Sequence, residues 1–244
     1  MANLLFSLLL VLATFHYEQV NAAESITAKA WLVSDENGKI IDGENTHDVR
    51  SIASITKLVT VMAVLDAGQD LNQKIGKFTR KELIQLALVK SDNNAAKLLC
   101  DNYPTGLTGC IRYMNFSMFM LGLENTKFVE PTGLSVMNVS TAEELVTIVL
   151  AAKEYPEIVE ASKMPMGKIQ TSKKNWLTFN NTNTIVREKK YDFIVSKTGF
   201  IRASGGCIVM MLDTGFSQRI VVLLGSKNTK TRIPEADRLV QMFL

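Results

Sequence analysis

The sequence predicts an α+β (mixed α/β) fold in which an antiparallel sheet is assembled from both chain ends around a mainly helical insertion. Three observations carry this expectation. β-Branched runs bounded by Gly, Asn and Ser gather near the two ends. Apolar residues at helical spacing, with capping signals, fill the middle. No repeat or low-complexity linker divides the 244 residues, a length that suits one or two domains.

The first element is an address. Leu4 to Phe15 is an almost wholly apolar run of 12 residues, too short for a spanning helix, which needs roughly 20. Val20-Asn21-Ala22 then places small side chains where secretory leaders are cut. Residues 1–22 are therefore expected to be a signal peptide, removed before Ala23. A domain of residues 23–244 would remain, periplasmic or secreted, with no stable membrane anchor. No Lys or Arg precedes the run, so a buried first helix is the competing reading.

Next, Lys29 to Asp35 and Lys39 to Asp42 flank Asn37-Gly38, a strong hairpin signal. Ile55, Leu58, Val59, Met62 and Leu65 then mark a helix from Ser54 to Ala67, ended by Gly68. Its other face is also apolar (Val61, Ala63, Val64), which predicts a buried central helix. Thr79 and Glu82 form a capping box for a helix running toward Val89, and Ser140 with Glu143 forms another for a helix stopping before Pro156. Asn93 to Leu99 and Cys110 to Leu121 also read as helical. Strands are expected at Asp192 to Lys197, Gly206 to Asp213 and Arg219 to Gly225, and Pro234 opens a closing helix carrying Leu239, Val240 and Phe243. The sheet part would comprise about residues 23–69 and 186–244, and the helical part about 70–185.

Composition removes several function classes. At 47% hydrophobic and 21% charged residues, the chain is not disordered. The net charge of +3, without a basic run longer than two residues, implies no nucleic-acid partner. Of two histidines, His16 lies in the leader. One histidine and three cysteines make no usual zinc site, and a Ser-His-Asp triad would rest on His47 alone. No metal and no cofactor is implied. Export implies an oxidising compartment, where Cys100 and Cys110, flanking a turn with Pro104, Gly106 and Gly109, either pair or stay reduced. Cys207 reads as a buried small hydrophobe, and an odd count leaves at least one free thiol.

Three short motifs carry chemistry. Ser54-Ile55-Thr56-Lys57 is an S-x-x-K, a pairing that 15 Ser and 19 Lys produce roughly once by chance. Its placement says more. Ser54 stands at a helix start, where free N–H groups and the dipole favour an oxyanion. Lys57 lies one turn on, where burial would lower its pKa and make it the base that no histidine supplies. Ser91-Asp92-Asn93 opens the next helix, with a plain N-cap as the bland alternative. Lys197-Thr198-Gly199 ends a strand, and Gly199 would let a peptide lie close.

In this order, the three resemble the S-x-x-K, S-x-N and K-T-G set of penicillin-recognising serine enzymes. The blocks Ala53 to Leu58, Phe128 to Ser135 (with Glu130-Pro131-Thr132-Gly133), Asn181-Thr182-Asn183 and Ser196 to Phe200 are similar to those of the low-molecular-mass penicillin-binding proteins, the D-alanyl-D-alanine endopeptidase and carboxypeptidase family. That resemblance implies a β-lactamase/transpeptidase-like fold and a DD-peptidase acting on peptidoglycan stem peptides, with β-lactams as covalent inhibitors. It assigns Ser54 as nucleophile and Lys57 as base. Ser91 would relay a proton and Asn93 would hold substrate and Lys57. Lys197 would keep the site positive, Thr198 with Gly199 and Thr182 would bind substrate, and the N–H groups of Ser54 and Phe200 would form the oxyanion hole.

Carboxypeptidases of the family often carry Arg where this chain has Thr182, so the resemblance favours an endopeptidase acting on cross-links. Carboxypeptidase trimming of terminal D-Ala is the alternative. Ile201 stands where the family usually has Thr. A β-lactamase, with Glu130 driving deacylation, and a non-catalytic peptidoglycan-binding protein are the rival readings.

Overall fold

The Asn37-Gly38 turn closes a hairpin, as its sequence predicts: Gly38 takes a φ of +86° and the Asp35 N–H donates to the Lys39 carbonyl at 3.0 Å. The computed structural model describes residues 26–243, so the expected leader and its cleavage point lie outside the described residues. The hairpin strands are β1 (Ala30–Asp35) and β2 (Ile40–Glu44), followed by the short β3 (Arg50–Ser51). A 3-10 turn, Ala53–Ile55, leads into α1 (Thr56–Asp66). A small ribbon, β4 (Lys74–Ile75) and β5 (Phe78–Thr79), precedes α2 (Arg80–Leu88), α3 (Asn93–Asp101) and α4 (Gly106–Met120). Then come β6 (Val139–Ser140), α5 (Ala142–Ala152), α6 (Pro156–Lys163), the ribbon β7 (Met166–Gln170) and β8 (Trp176–Asn180), and α7 (Thr184–Glu188). Strands β9 (Asp192–Ile201), β10 (Gly205–Asp213) and β11 (Gln218–Ser226) and helix α8 (Arg232–Met242) complete the fold.

The main sheet has the antiparallel order β2-β1-β11-β10-β9, so strands from both chain ends share it and β9 is an edge. Both faces are covered. Leu32, Val209, Met211 and Val222 pack with α1 and the helical middle, while Ile208, Met210, Leu212 and Val221 pack with Leu239 and Val240 of α8 and Ile185 of α7. Double coverage explains why β10 and β11 read as continuous apolar runs. Residues Thr56 to Val64 of α1 are all buried, as its two-sided apolar pattern predicts.

The elements differ from expectation in four main places, the last helix among them. Helix α4 begins at Gly106, a turn ahead of Cys110, and α8 begins at Arg232, ahead of Pro234. The capping box at Thr79 and Glu82 is present. The second is displaced by one residue: Thr141, not Ser140, caps α5 and accepts from the Glu144 N–H. Ser140 is held in β6 against Arg50. The β7–β8 ribbon is the fourth difference, a two-stranded element within a segment read as helical. Cys100 and Cys110 form a disulfide joining α3 to α4, and Cys207 is buried and free. A loop of this length stabilises by about 3 kcal/mol on chain-entropy grounds.

Candidate active site

The 3-10 turn carrying Ser54 is held between two glycines. A Cβ at Gly133 would lie 2.0 Å from the Ala53 carbonyl oxygen and 2.7 Å from Ser54 N; one at Gly199 would lie 3.0 Å from Ser54 N. The bare face of Gly199 thus admits the serine turn, a reason for glycine there that the sequence does not show. Ala53, immediately before the serine, holds a left-handed φ of +46°. Such strain in a non-glycine residue persists only where surrounding contacts over-determine it.

Those contacts come from the segment after α4. Glu130 accepts from the N–H groups of Thr132 (2.7 Å), Gly133 (2.7 Å) and Ser135 (3.3 Å), and from Asn138 Nδ2 (2.9 Å). Asn138, fully buried, also donates to Thr56 Oγ1 at 3.1 Å, while its carbonyl accepts from the Ile52 N–H. The loop is thus tied to the start of α1. It presents the Thr132 carbonyl to the cleft, 2.6 Å from Lys57 Nζ.

Lys57 Nζ also contacts Ser54 Oγ at 2.9 Å and Asn93 Oδ1 at 2.7 Å. Burial lowers its pKa to about 8, a shift partly opposed by the charges of Glu130 and Asp92. The three contacts fix where a neutral amine would point its lone pair. The Thr132 and Asn93 oxygens can only accept, so they retain its two N–H groups, and the lone pair is left facing the Ser54 hydroxyl.

Across the cleft stands Lys197, on β9. Its Nζ donates to Ser91 Oγ and to the Thr198 carbonyl, each at 2.8 Å. Burial, then the Lys57 and Arg232 cations, push it well below the ordinary lysine value. The expectation that Lys197 keeps the site positive does not anticipate this pressure toward the neutral amine. Ser91 takes a left-handed φ of +60° ahead of α3. Asp92 is the N-cap of α3, accepting from the Ala95 N–H at 3.0 Å, so it is structural, and it leaves Asn93 as the first residue of the helix.

Thr198 donates its hydroxyl to Thr182 Oγ1 at 2.6 Å. Asn181 and Asn183 hold that segment: Asn183 donates to Ser196 Oγ and caps α7, and the Thr182 N–H donates to the Val89 carbonyl. Arg232 donates to the Gly199 carbonyl at 2.6 Å from behind the strand. Phe200 is half-exposed at the open edge of β9, and Ile201 follows with its N–H donating to Ser204 Oγ.

Ser54, Lys57, Ser91, Asn93, Lys197, Thr198 and Thr182 thus meet in one cleft. His47 does not; it is 82% exposed and pairs with Glu143. Among the described residues no cluster could hold a metal ion. Sequence reasoning missed Thr132, Asn138 and Arg232 as supports of the site. Thr132 stands in a recognisable block, but its contact with Lys57 is made by the backbone carbonyl, which no residue type signals, and Asn138 and Arg232 are single polar residues without a pattern.

Comparison with known proteins gives concordant matches. The pattern of the family described as D-alanyl-D-alanine carboxypeptidase matches residues 17–76 and 71–228. A D-alanyl-D-alanine endopeptidase of Escherichia coli is 35% identical, over 96% of this chain and 86% of its own, and one of Pseudomonas aeruginosa is 34% identical, over 88% and 77%. A Bacillus subtilis D-alanyl-D-alanine carboxypeptidase is 23% identical over 86% of this chain. Among solved structures, penicillin-binding protein D2 of Listeria monocytogenes, in an ampicillin-bound form, superposes with a TM-score of 0.81 at 23% identity, covering 89% of this chain and 97% of that one.

Proposed function

The chain belongs to the D-alanyl-D-alanine carboxypeptidase family and is a serine-type D-alanyl-D-alanine peptidase, and from that premise we propose that it opens D-alanyl cross-links in peptidoglycan through an acyl-enzyme on Ser54. The observation that carries the mechanism is the Lys57 amine, depressed to about 8 and aimed at Ser54 Oγ. Ser54 Oγ attacks the scissile carbonyl and its proton passes to Lys57 Nζ. The oxyanion faces the N–H groups of Ser54 and Phe200. By the two-residue period of an edge strand, Phe200 turns its backbone to the same open side as Thr198, whose carbonyl meets Lys197 there. Ser91, polarised by Lys197, gives its hydroxyl proton to the leaving amine and regains the one that Lys57 took from Ser54, so Lys57 is neutral again for the attack of water. The ester on Ser54 forms as the C–N bond breaks, and water then releases the acid and frees the serine. Thr198, with Thr182, receives the carboxylate that follows the scissile bond.

Three features favour cross-links over terminal D-Ala. The relatives at 34–35% identity bear endopeptidase names, a carboxypeptidase matches at 23%, and Thr182 offers no guanidinium to a free carboxylate. Glu130 gives no support to a β-lactamase reading, because loop N–H groups and Asn138 occupy both its oxygens. The substrate places the enzyme outside the cytoplasm, in the periplasm or beyond, and none of the described helices is long and apolar enough to cross a membrane.

Labelling with a fluorescent penicillin tests the assignment. Wild type should form a stable adduct and Ser54→Ala none, with cleavage of cross-linked muropeptides lost in parallel. An adduct on Ser54→Ala overturns the nucleophile, fast release from wild type would indicate a lactamase, and no label a binding protein.

A further inference from the structure

Away from the cleft, the β7–β8 ribbon and the start of α2 enclose a groove of about 410 Å³, within the ~300–1,000 Å³ of small-molecule sites. Trp176 lines it, 52% exposed, with the Lys168 ammonium 4.5 Å from the ring centroid. Asn72, Gln85 and Gln170 bring carboxamides. Of the charged lining groups, Lys81 pairs with Glu160, Glu82 accepts from the Thr79 N–H, and Lys168 is engaged with the indole. The side-chain amides of Asn72 and Gln85 make no hydrogen bond to any described residue. An exposed indole beside unengaged neutral amides suits a neutral, polyhydroxylated ring better than an ion: the ring's C–H face stacks on the indole and its hydroxyl and acetamido groups meet the carboxamides.

The groove also sits at a telling place. Helix α2 and strand β8 both begin at it and both end at the cleft, where the Thr182 N–H donates to the Val89 carbonyl. One outward face of the ribbon, Gln170 and Trp176, then Lys168 and Thr178, then Met166 and Asn180, forms a continuous path between the two. A helix of nine residues is about 14 Å long. A peptide stem of about four residues, joining a sugar strand to the scissile D-alanyl bond, reaches at most ~14 Å when extended.

We propose that this groove is a glycan subsite, with Trp176 as stacking platform, which holds an N-acetylated sugar of the wall polymer while the attached stem runs along the ribbon to Ser54. The identity of the sugar rests on the peptidoglycan reading above. Binding so far from the reacting carbonyl raises turnover when it is realised in the transition state.

The test uses the full chain. Ser54→Ala protein is titrated calorimetrically with neutral oligomers of N-acetylglucosamine, alone and combined with Trp176→Ala or Asn72→Ala. Affinity should fall at least tenfold with Trp176→Ala and several-fold with Asn72→Ala. In the active enzyme, Trp176→Ala should lower kcat/KM about tenfold on a glycan-linked cross-link and leave a sugar-free cross-linked peptide and penicillin acylation unchanged. Undiminished glycan affinity in Trp176→Ala, equal losses on both substrates, or tighter binding of polyglutamate than of glycan would overturn the proposal. Penicillin labelling of Ser54→Ala would instead sink the catalytic reading and leave the titration standing, so the two failures are distinguishable.

Discussion

The two walls of the cleft are held by different means. On the α1 side, a carboxylate (Glu130), a buried amide (Asn138) and a left-handed glycine (Gly133) brace the serine turn through backbone and side-chain bonds. On the β9 side, the strand supplies most of the rigidity, and the cleft is faced by hydroxyls: Ser91 on Lys197, and Thr198 on Thr182. The bracing falls where a proton must move between two atoms 2.9 Å apart. The hydroxyls lie where a substrate must be accepted and released, and a hydroxyl can exchange its partner for a ligand at little cost. On the proposed mechanism the braced wall carries the attack on the substrate, and the other carries recognition together with the Ser91 relay, so substitutions should separate them.

The largest effects belong to the braced wall. Glu130→Gln puts an NH2 donor among N–H groups that need an acceptor. With each buried unsatisfied donor costing about 1–3 kcal/mol, and about 2–4 °C per kcal/mol for a chain of this size, the melting temperature should drop by roughly 5–10 °C. Removing the charge also removes a field that raises the Lys57 pKa. The acid limb of the kcat/KM profile should therefore move to lower pH. A stable variant with an unmoved limb would mean that Glu130 does not brace or polarise the site.

Gly133 and Gly199 test the same contrast within one turn. A methyl at Gly133 meets backbone at 2.0 Å and sits on a φ of +81°; at Gly199 the nearest atom is 2.9 Å away. Gly133→Ala should slow penicillin acylation by at least 100-fold, since the loop must withdraw from Ser54 and the left-handed backbone adds about 1–2 kcal/mol of strain. Gly199→Ala needs a shift of a few tenths of an ångström and should cost about tenfold, with the fold intact. The reverse ranking would show that the strand, not the loop, places the serine.

Much of this division was legible in the residues. Ser54 and Lys57, one turn apart at the head of an apolar run, and the Lys197-Thr198-Gly199 strand end announce both walls. What pattern could not decide were choices made by tertiary contacts. Residues 140–144 read Ser-Thr-Ala-Glu-Glu, so two overlapping capping boxes fit. Pairing of Ser140 with Arg50 settles the start of α5, and the Glu144 carboxylate is drawn to Asn125 and Thr126 instead of back to the cap. The β7–β8 ribbon has only five residues per strand, too few for alternation to stand out, and its closeness depends on Gly167 lying under the Phe179 ring. Gly199 packs against the serine turn, and a glycine in a sequence does not say which neighbour fills its bare face.

The lysine pair gives an intermediate effect that sets free enzyme against complex. Activity should rise as Lys57 loses its proton around pH 8 and fall as Lys197 loses its own. Two ammonium groups so placed titrate as a pair, so only macroscopic values appear. Because burial and two cations depress Lys197, the descending limb of kcat/KM should lie well below the ordinary lysine range. A substrate carboxylate beside Lys197 favours its charged form, so the descending limb of kcat should lie at higher pH than that of kcat/KM. Coincident limbs would place the carboxylate elsewhere.

The smallest effect is one of preference. Thr182 takes the Thr198 hydroxyl at 2.6 Å, so residue 182 borders the place where the carboxylate after the scissile bond is received. A threonine offers one neutral hydroxyl there; an arginine offers a bidentate, charged fork. A terminal D-Ala brings little besides its carboxylate and methyl, so it gains most from such a fork. A cross-link brings a second stem, whose contacts hold it without that grip. Thr182→Arg should therefore raise D-Ala release from a monomeric pentapeptide relative to opening of a cross-linked dimer, by about tenfold if the fork adds the ~1.5–3 kcal/mol of a charged hydrogen bond and loses part of it to ordering a long side chain. Measuring both reactions under matched conditions in wild type and variant decides the matter. An unchanged ratio would remove residue 182 from selectivity, and a wild type that already favours the pentapeptide would reverse the endopeptidase assignment.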